Sequence, residues 1–211
     1  MKRVLIIMMV LAMITANSRA QSLSVANIES QTGEETELVV SLNLVEGNTM
    51  TALQFNLALP EGITMSESYV TLGTATNGHT LNVETLANGD HLFVLYSMNL
   101  NSFKSGELLR IPVKVDNVAT SANGKLYTIR TATADAVSHA CADVSFTAKN
   151  YELGDVNGDG KVSVTDVGMM ISYILQTNPA GFNKDAADMN GDGKVSVTDV
   201  GLAITKILSG K

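Results

Sequence analysis

Residues 155–166 read Asp-Val-Asn-Gly-Asp-Gly-Lys-Val-Ser-Val-Thr-Asp, and residues 188–199 read Asp-Met-Asn-Gly-Asp-Gly-Lys-Val-Ser-Val-Thr-Asp. The two copies lie 33 residues apart, and residues 157–168 are identical letter for letter to residues 190–201. A repeat this tight indicates two copies of one supersecondary unit. One copy alone could be a turn rich in Asp, Asn and Gly that binds no metal. Two matched copies favour a metal-binding loop.

The spacing of the oxygen-bearing side chains is that of an EF-hand calcium loop. Gly160 and Gly193 fall at loop position 6, where the chain must turn sharply. Position 12, usually Glu in EF-hands, is Asp166 or Asp199. Because Asp is one methylene shorter than Glu, each following helix must lie closer to the ion. The predicted ligands of the first ion are Asp155, Asn157, Asp159, Lys161 through its backbone carbonyl, Ser163 through a water, and Asp166. Those of the second ion are Asp188, Asn190, Asp192, Lys194, Ser196 and Asp199.

Three features accompany these loops: Asp at position 12, a Val-Thr pair before it, and a following helical stretch that ends Ile-Leu. With them, residues 153–209 resemble a type I dockerin, the calcium-binding module that docks onto cohesin modules in polysaccharide-degrading assemblies. The resemblance implies two bound calcium ions and a cohesin-type partner. A module of this size has a thin core, so we expect it to depend on metal for its fold.

Each loop runs into an amphipathic helix. Apolar residues recur at i, i+3, i+4 and i+7, which predicts two core stripes: Val167, Met170, Ile171 and Ile174, and Val200, Ala203, Ile204 and Ile207. At 100° per residue, Met169 and Leu202 are predicted to point almost opposite these stripes. Gly168 and Gly201 lie beside them, each at a helix cost of about 1 kcal/mol, which makes sense if another backbone approaches.

In dockerins, loop positions 10 and 11 contact the cohesin. The resemblance therefore implies two near-equivalent docking faces, usable in two orientations related by about 180°: Val164, Thr165 and Met169, and Val197, Thr198 and Leu202. The partner is either a cohesin-type module of another protein or the sandwich domain of the same chain. The connector predicted between the domains, residues 151–154, spans at most about 14 Å, which keeps the second alternative open.

Residues 21–150 have a period of two. Alternating runs at residues 37–45, 53–59 and 109–115, together with an apolar run at 92–98, predict short strands of a β-sandwich. Pro112 cannot donate to a strand ladder, so its strand is predicted to lie at a sheet edge. Hairpin turns are predicted at Asn77-Gly78, Asn88-Gly89 and Asn123-Gly124.

Two segments of this region carry a second resemblance. Residues 33–42 read Gly-Glu-Glu-Thr-Glu-Leu-Val-Val-Ser-Leu, and residues 50–60 read Met-Thr-Ala-Leu-Gln-Phe-Asn-Leu-Ala-Leu-Pro. They are similar to the opening of a cohesin module, a fold that is also similar to some carbohydrate-binding modules. The predicted fold class is mainly β with a small α portion: a cohesin-like sandwich over 21–150 and a dockerin-type pair of loop-helix motifs over 151–211.

Residues 1–20 have the pattern of a secretory signal. Lys2 and Arg3 precede an apolar run at 4–14 that is too short for a membrane span, and Ser18-Arg19-Ala20 fits a cleavage site. We therefore expect a secreted or periplasmic protein cleaved near Ala20. The net charge of −7 disfavours a nucleic-acid partner. The lone Cys141 forms no intrachain disulfide.

No catalytic constellation is visible in the sandwich region, so we predict no catalytic residues and no enzyme activity. The histidines are scattered, and the sequence alone cannot place two carboxylates at a glycosidase spacing of roughly 5–10 Å. Trp is absent, so sugar stacking has no obvious platform, and the tyrosines are predicted to pack in the core. The histidines are His79, His91 and His139, the carboxylates Glu46, Glu61, Glu84 and Glu107, and the tyrosines Tyr69, Tyr96 and Tyr127.

Three functions remain open. The first is an exported, non-catalytic assembly protein that docks through its calcium-binding module in a polysaccharide-degrading context. The second is a carbohydrate-binding module or small glycan-active protein displayed by that module, with polysaccharide as its partner. The third is a structural role, in which calcium stiffens one end of a surface protein.

Overall fold

The computed structural model describes residues 21–45, 47–65, 69–116 and 122–210. The predicted signal at residues 1–20 and its cleavage site lie outside the described residues. Two units follow one another along the chain: a two-sheet β-sandwich and a small helical module. This is the predicted fold class.

The sandwich has twelve described strands in two sheets. Sheet A has the order β1-β3-β9-β5, with β6 also paired to β9, and sheet B has the order β2-β12-β10-β4-β8-β7, with β11 paired to β10. The strands are β1 Ser22–Val25, β2 Ile28–Gln31, β3 Glu35–Asn43, β4 Ala52–Ala58, β5 Ile63–Met65, β6 Thr71–Leu72, β7 Thr80–Thr85, β8 His91–Tyr96, β9 Gly106–Val115, β10 Ala122–Ala132, β11 Ser138–Ala140 and β12 Val144–Tyr151.

Alternation along the strands builds the core. Successive side chains of a strand point to opposite faces, so every second residue of β3, β4, β8 and β9 enters one shared cluster between the sheets. The rings of Phe55 and Phe93 stack there at 4.9 Å between centroids. Each fully buried side chain of this size contributes about 1.5–3 kcal/mol of burial free energy. The predicted strand faces at Leu38, Val40 and Leu42 are confirmed.

The prediction that Pro112 marks an edge strand is wrong. Its strand, β9, lies inside sheet A, with β3 on one side and β5 and β6 on the other. On the second side β5 pairs with residues 113–115 of β9 and β6 pairs with residues 109–110. Pro112 lies between those two paired segments, so a proline is accommodated within the sheet.

The three predicted turns have different outcomes. Asn88-Gly89 lies in the β7–β8 hairpin turn, where Gly89 has φ +87°. Gly78, with φ +67°, lies in the bend between β6 and β7. Gly124 instead lies within β10, so the third prediction is wrong. A Cβ there would come within 2.1 Å of the Phe146 ring, which shows that this glycine makes room for an aromatic ring on β12.

The helical module contains α1 Val164–Ile174, α2 Lys184–Ala187 and α3 Val197–Ser209. Helices α1 and α3 begin inside the repeated loops and pack against each other. The core cluster of the module has four fully buried apolar residues: Val156 of the first loop, Met170 of α1, Ala187 of α2 and Ala203 of α3. Tyr173 and Phe182 stack beside it at 4.5 Å between ring centroids.

The two units join through a very short connector. Tyr151 still belongs to β12 and pairs with Gln31 of β2, so the connector is one residue shorter than predicted. Lys206 of α3 forms an ion pair with Glu152 at 2.7 Å and donates to the carbonyl of Leu153 at 2.8 Å. Asn183 donates to the carboxylate of Glu29 on β2 at 2.8 Å. The module therefore rests against the β2–β12 end of sheet B.

Candidate functional site

The first loop is organised by the carboxylate of Asp155, which is only 5% exposed. Its Oδ1 accepts from the N–H groups of Gly158 and Asp159, at 2.8 and 3.1 Å, and its Oδ2 accepts from that of Gly160 at 2.8 Å. Asn157 adds a smaller turn, because its Oδ1 accepts from the N–H of Asp159 at 2.9 Å. These bonds fold the backbone into a cup in which the predicted ligands at positions 1, 3 and 5 are neighbours.

The carboxylate of Asp166 closes this loop and is fully buried. Its Oδ1 accepts from the N–H groups of Val156 and Asn157 at 3.0 and 3.3 Å. Its Oδ2 accepts from the N–H and the hydroxyl of Ser163 at 2.9 and 3.0 Å. One side chain therefore joins the start of the loop to the first turn of α1. No Lys or Arg among the described residues forms an ion pair with it.

The second loop repeats this arrangement. Asp188 accepts from the N–H groups of Asp192 and Gly193 at 3.1 and 2.7 Å. Asp199, also fully buried, accepts from the N–H of Asn190 at 3.2 Å and from the N–H and hydroxyl of Ser196, both at 2.9 Å.

The pKa of Asp199 reflects two opposing effects. Burial works to raise this pKa, but the hydrogen bonds from Ser196 and Asn190 outweigh it and hold the pKa below its ordinary value. The carboxylate is therefore held in its ionised form, which is the form that binds a cation.

Two local roles were not anticipated from the sequence. Ser163 and Ser196, predicted to act through a water, are helix N-caps whose hydroxyls accept from the N–H groups of Thr165 and Thr198, both at 3.2 Å. Gly158 and Gly191, at loop position 4, have φ of +72° and +73°, so they need glycine as much as position 6 does. The capping-box pattern Ser-x-x-Asp was the sequence signal for the first role.

The donor chemistry fits calcium. Every predicted ligand group in either loop is an oxygen, which suits a hard cation of this kind. The buried carboxylates of Asp166 and Asp199 have no cationic side chain beside them among the described residues. In the part of the chain that the structure describes, no three His, Cys, Asp or Glu side chains are already gathered around one metal position. The carboxylate oxygens of Asp155, Asp166, Asp188 and Asp199 instead accept from backbone amides, so the hydrogen bonds of these carboxylates shape each loop.

The predicted docking residues differ in exposure. Val164 and Val197 are more than three-quarters exposed, and Thr165 and Thr198 are exposed beside them. Leu202 is 39% exposed. The expectation that Met169 points away from the core is wrong, because its half-buried side chain packs against the small core of the module.

The rotation of the helices explains this difference. The core is centred on Met170 in α1 and on Ala203 in α3, not on the middle of the predicted stripes. Ile171 and Ile204 lie about 100° from these centres and are exposed. Met169 lies about 100° from Met170 on the other side, which is closer to the core than the predicted stripe placed it, and its side chain packs against the core cluster. The predicted core positions Val167 and Val200 are confirmed.

Among the described residues of the sandwich, no three of the histidines and carboxylates considered for chemistry are placed to hold a metal ion. His79 is buried and stacks on Phe103, whereas His139 is exposed on β11. Glu107 is paired with Arg110 at 2.6 Å, and Glu46 lies outside the described residues. Tyr69 is mostly exposed, so its assignment to the core is wrong.

Sequence comparison identifies the helical module. Residues 153–208 match the family model described as the dockerin type I domain. The C-terminal module is a type I dockerin. Type I dockerin domains are generally calcium-binding. A comparison with curated protein sequences found no match to this chain.

Solved structures identify the fold of the sandwich. It is similar to a non-cellulosomal cohesin from Archaeoglobus fulgidus, with 14% identity, 63% of this chain and 91% of that chain covered, and a TM-score of 0.54. A cohesin module from a Clostridium perfringens family 33 glycoside hydrolase has 16% identity, 63% and 96% coverage and a TM-score of 0.53. A chain of a type I cohesin–dockerin complex from Clostridium thermocellum has 13% identity, 63% and 100% coverage and a TM-score of 0.52.

The chain thus has a cohesin-like sandwich followed by a type I dockerin. Dockerins have cohesin modules as partners. The dockerin match supports a role in cohesin–dockerin interaction. None of the helices in the described ranges is long and apolar enough to cross a membrane.

Proposed function

We propose that this chain is an exported, non-catalytic assembly protein that docks through its calcium-loaded dockerin in a polysaccharide-degrading context. The observation that carries the proposal is the duplicated loop-helix unit. Each copy has a complete oxygen ligand set, a buried closing carboxylate and an exposed Val-Thr pair at the start of its helix.

The dockerin is proposed to bind two calcium ions, one in each loop. Asp155 and Asp166 in the first loop, and Asp188 and Asp199 in the second, supply the carboxylates that enclose each ion. Asn157, Asp159 and their equivalents complete the oxygen set, with the carbonyls of Lys161 and Lys194. When bound, calcium supplies a positive charge that offsets the repulsion between these carboxylates and fixes the starts of α1 and α3.

Docking is proposed to use either of two equivalent faces. Val164 and Thr165 form one and Val197 and Thr198 the other, in both cases with the exposed residues of the following helix. Because the copies are identical over residues 157–168 and 190–201, a partner that fits one face fits the other after a rotation of about 180°. The exposure of both Val-Thr pairs supports this symmetry.

Export and the absence of catalysis complete the proposal. The signal-like residues 1–20 support secretion to the periplasm or beyond, with domains over 21–150 and 151–211 in the mature chain. The scattered histidines and the pairing of Glu107 with Arg110 favour a binding role over hydrolysis.

The test is calorimetric titration of the mature chain against a panel of purified type I cohesin modules, with calcium and with excess chelator. We expect binding to at least one cohesin in calcium and none in chelator. The variant Val164→Asp with Val197→Asp should lose binding while it still binds calcium. Binding that persists in chelator, or in this double variant, would contradict the proposal.

A further inference from the structure

A cleft lies between the β2–β12 end of sheet B and the dockerin. Its volume is about 490 Å³, within the range of roughly 300–1,000 Å³ that small-molecule sites occupy. Junctions between domains are also a common location for such sites. We call it the interdomain cleft: residues 31, 32 and 151–153 line one wall, and Met189 and Lys206 of the dockerin line the other.

The two walls of the interdomain cleft are held against each other. Lys206 of α3 joins them through its ion pair with Glu152 and its hydrogen bond to the carbonyl of Leu153. The N–H of Gly154 donates to a carbonyl of α2 at 2.8 Å. Gly154 has φ +95°, and a Cβ there would lie 3.1 Å from Sδ of Met189, so the connector packs closely against the dockerin wall. The cleft is therefore part of the folded structure.

Three polar side chains of the sandwich wall are able to bind a ligand through hydrogen bonds. Gln31 and Tyr151 are paired on the parallel strands β2 and β12, so their side chains lie side by side on one face of sheet B. Among the described residues, neither the amide of Gln31 nor the phenol of Tyr151 has a hydrogen-bond partner. The hydroxyl of Thr32 accepts from the amide of Asn150 at 2.7 Å, which leaves its O–H able to donate. Burial raises the pKa of Tyr151, so its phenol stays protonated and can donate as well as accept.

The interdomain cleft is electrically neutral and partly apolar. Its two charged side chains, Glu152 and Lys206, pair with each other at 2.7 Å. Leu153 and Met189 are half-buried and supply apolar surface between the polar groups, and the ring of Tyr151 adds an aromatic surface. A ligand that matches this lining carries several hydroxyl groups, no net charge and an apolar C–H surface. Neutral sugars have this chemistry.

The interdomain cleft continues along the second calcium loop. A neighbouring hollow of about 400 Å³ shares four of its lining residues and reaches Asp185, Asp188 and Asn190. A groove of this extent suits an oligosaccharide. Asp185 is exposed and forms no ion pair among the described residues, so its carboxylate would repel an acidic sugar at this end.

We propose that the interdomain cleft binds a neutral oligosaccharide, with the ring of Tyr151 as its stacking surface and Gln31 and Thr32 as hydrogen-bond partners. This site goes beyond the proposed docking function and does not depend on it. Sequence reasoning missed the site because β2 and β12 come from opposite ends of the sandwich region, and because its second wall belongs to the other domain.

The test is calorimetric titration and saturation-transfer difference NMR of the full mature chain in saturating calcium. The probes are three neutral oligosaccharides, cellotetraose, xylotetraose and mannotetraose, and one acidic oligosaccharide, trigalacturonate. We expect at least one neutral probe to bind and the acidic probe not to bind. Tyr151→Ala should weaken this binding roughly tenfold, and Gln31→Ala should weaken it about three- to tenfold.

The controls are Tyr69→Ala and Gln54→Ala, which remove an exposed tyrosine and an outward-facing amide outside the cleft and should bind the probe like wild type. Gln31→Ala removes an amide without a partner, so it keeps the test decisive if Tyr151→Ala disturbs the contact between the domains. Three results would each overturn the inference: no binding of any neutral probe, binding of trigalacturonate alone, or wild-type affinity in both cleft variants.

Discussion

A single carboxylate closes each calcium loop, and its contacts set the cost of removing it. Asp166 accepts four hydrogen bonds while fully buried. Asp166→Ala leaves those donors without an acceptor, which should lower the free energy of unfolding of the dockerin by about 2–4 kcal/mol. It should also reduce the calcium stoichiometry from two to one.

Calorimetric titration with calcium and chemical denaturation measure these two effects. Asp135→Ala, in a sandwich loop, is the control and should change neither. A variant that still binds two ions would show that Asp166 is not a ligand.

His79 gives the sandwich a pH-dependent stability. The residue is 6% exposed, its ring stacks on Phe103, and Nδ1 accepts from the N–H of Asn77 at 3.0 Å. Burial lowers the pKa of His79 below its ordinary value. The unfolded chain therefore binds the proton first, and stability is lost as pH falls from about 6.5 towards the folded pKa.

His79→Phe should flatten this part of the stability curve, measured as urea midpoints between about pH 7 and 5. His139→Gln, at an exposed histidine, serves as the control and should leave the curve unchanged. An unaltered slope in His79→Phe would mean that another group titrates in this range.

Gly124 in a strand and Gly168 in a helix differ in the space around them. A Cβ at position 124 on β10 would collide with the Phe146 ring, whereas one at position 168 on α1 would meet nothing. Gly124→Ala should destabilise the sandwich by about 1–3 kcal/mol. Gly168→Ala should stabilise α1 by up to about 1 kcal/mol and weaken docking. Thermal unfolding measures both effects, with the helical circular dichroism signal reporting on the dockerin and the β-sheet signal on the sandwich. If the two substitutions changed stability equally, the packing described for Gly124 and Gly168 would be contradicted.

The rotation of α1 can be tested by a matched pair of neighbours. Met170 is fully buried, whereas Ile171 is exposed. Met170→Asp should destabilise the dockerin by about 3 kcal/mol or more, because it buries an unpaired charge. Ile171→Asp should change stability by no more than about 0.5 kcal/mol. Circular dichroism melts in calcium measure both changes in stability. A large loss of stability in Ile171→Asp would contradict the exposed position of Ile171 and favour the core stripe predicted from the sequence.

Sequence periodicity predicts which segments form strands and helices better than it predicts how those segments pack against each other. The strands around Leu38 and Phe55 and the two loop-helix units follow from alternation and from the repeat. The interior position of β9 does not follow, because it depends on two short partners that pair on either side of Pro112. Gly124 has the local appearance of a turn, and only the distant Phe146 ring explains it. The inward position of Met169 depends on where the module's small core is centred, which helical spacing alone cannot specify.

At the scale of the whole molecule, the sandwich and the dockerin differ in how they are stabilised. The sandwich encloses a continuous apolar core between two sheets. The dockerin has four fully buried apolar side chains in its core cluster and helices of 11 and 13 residues, lengths that are marginal in isolation. Its fold should therefore depend on bound calcium, while that of the sandwich should not.

The helical signal of the full mature chain measures this dependence most directly, because all α-helices in the described part of the chain belong to the dockerin. Far-ultraviolet circular dichroism at 222 nm should lose most of its helical component on chelation and regain it when calcium is restored, with the sandwich melt unchanged. An unchanged helical signal in excess chelator would contradict the account of a calcium-organised docking module.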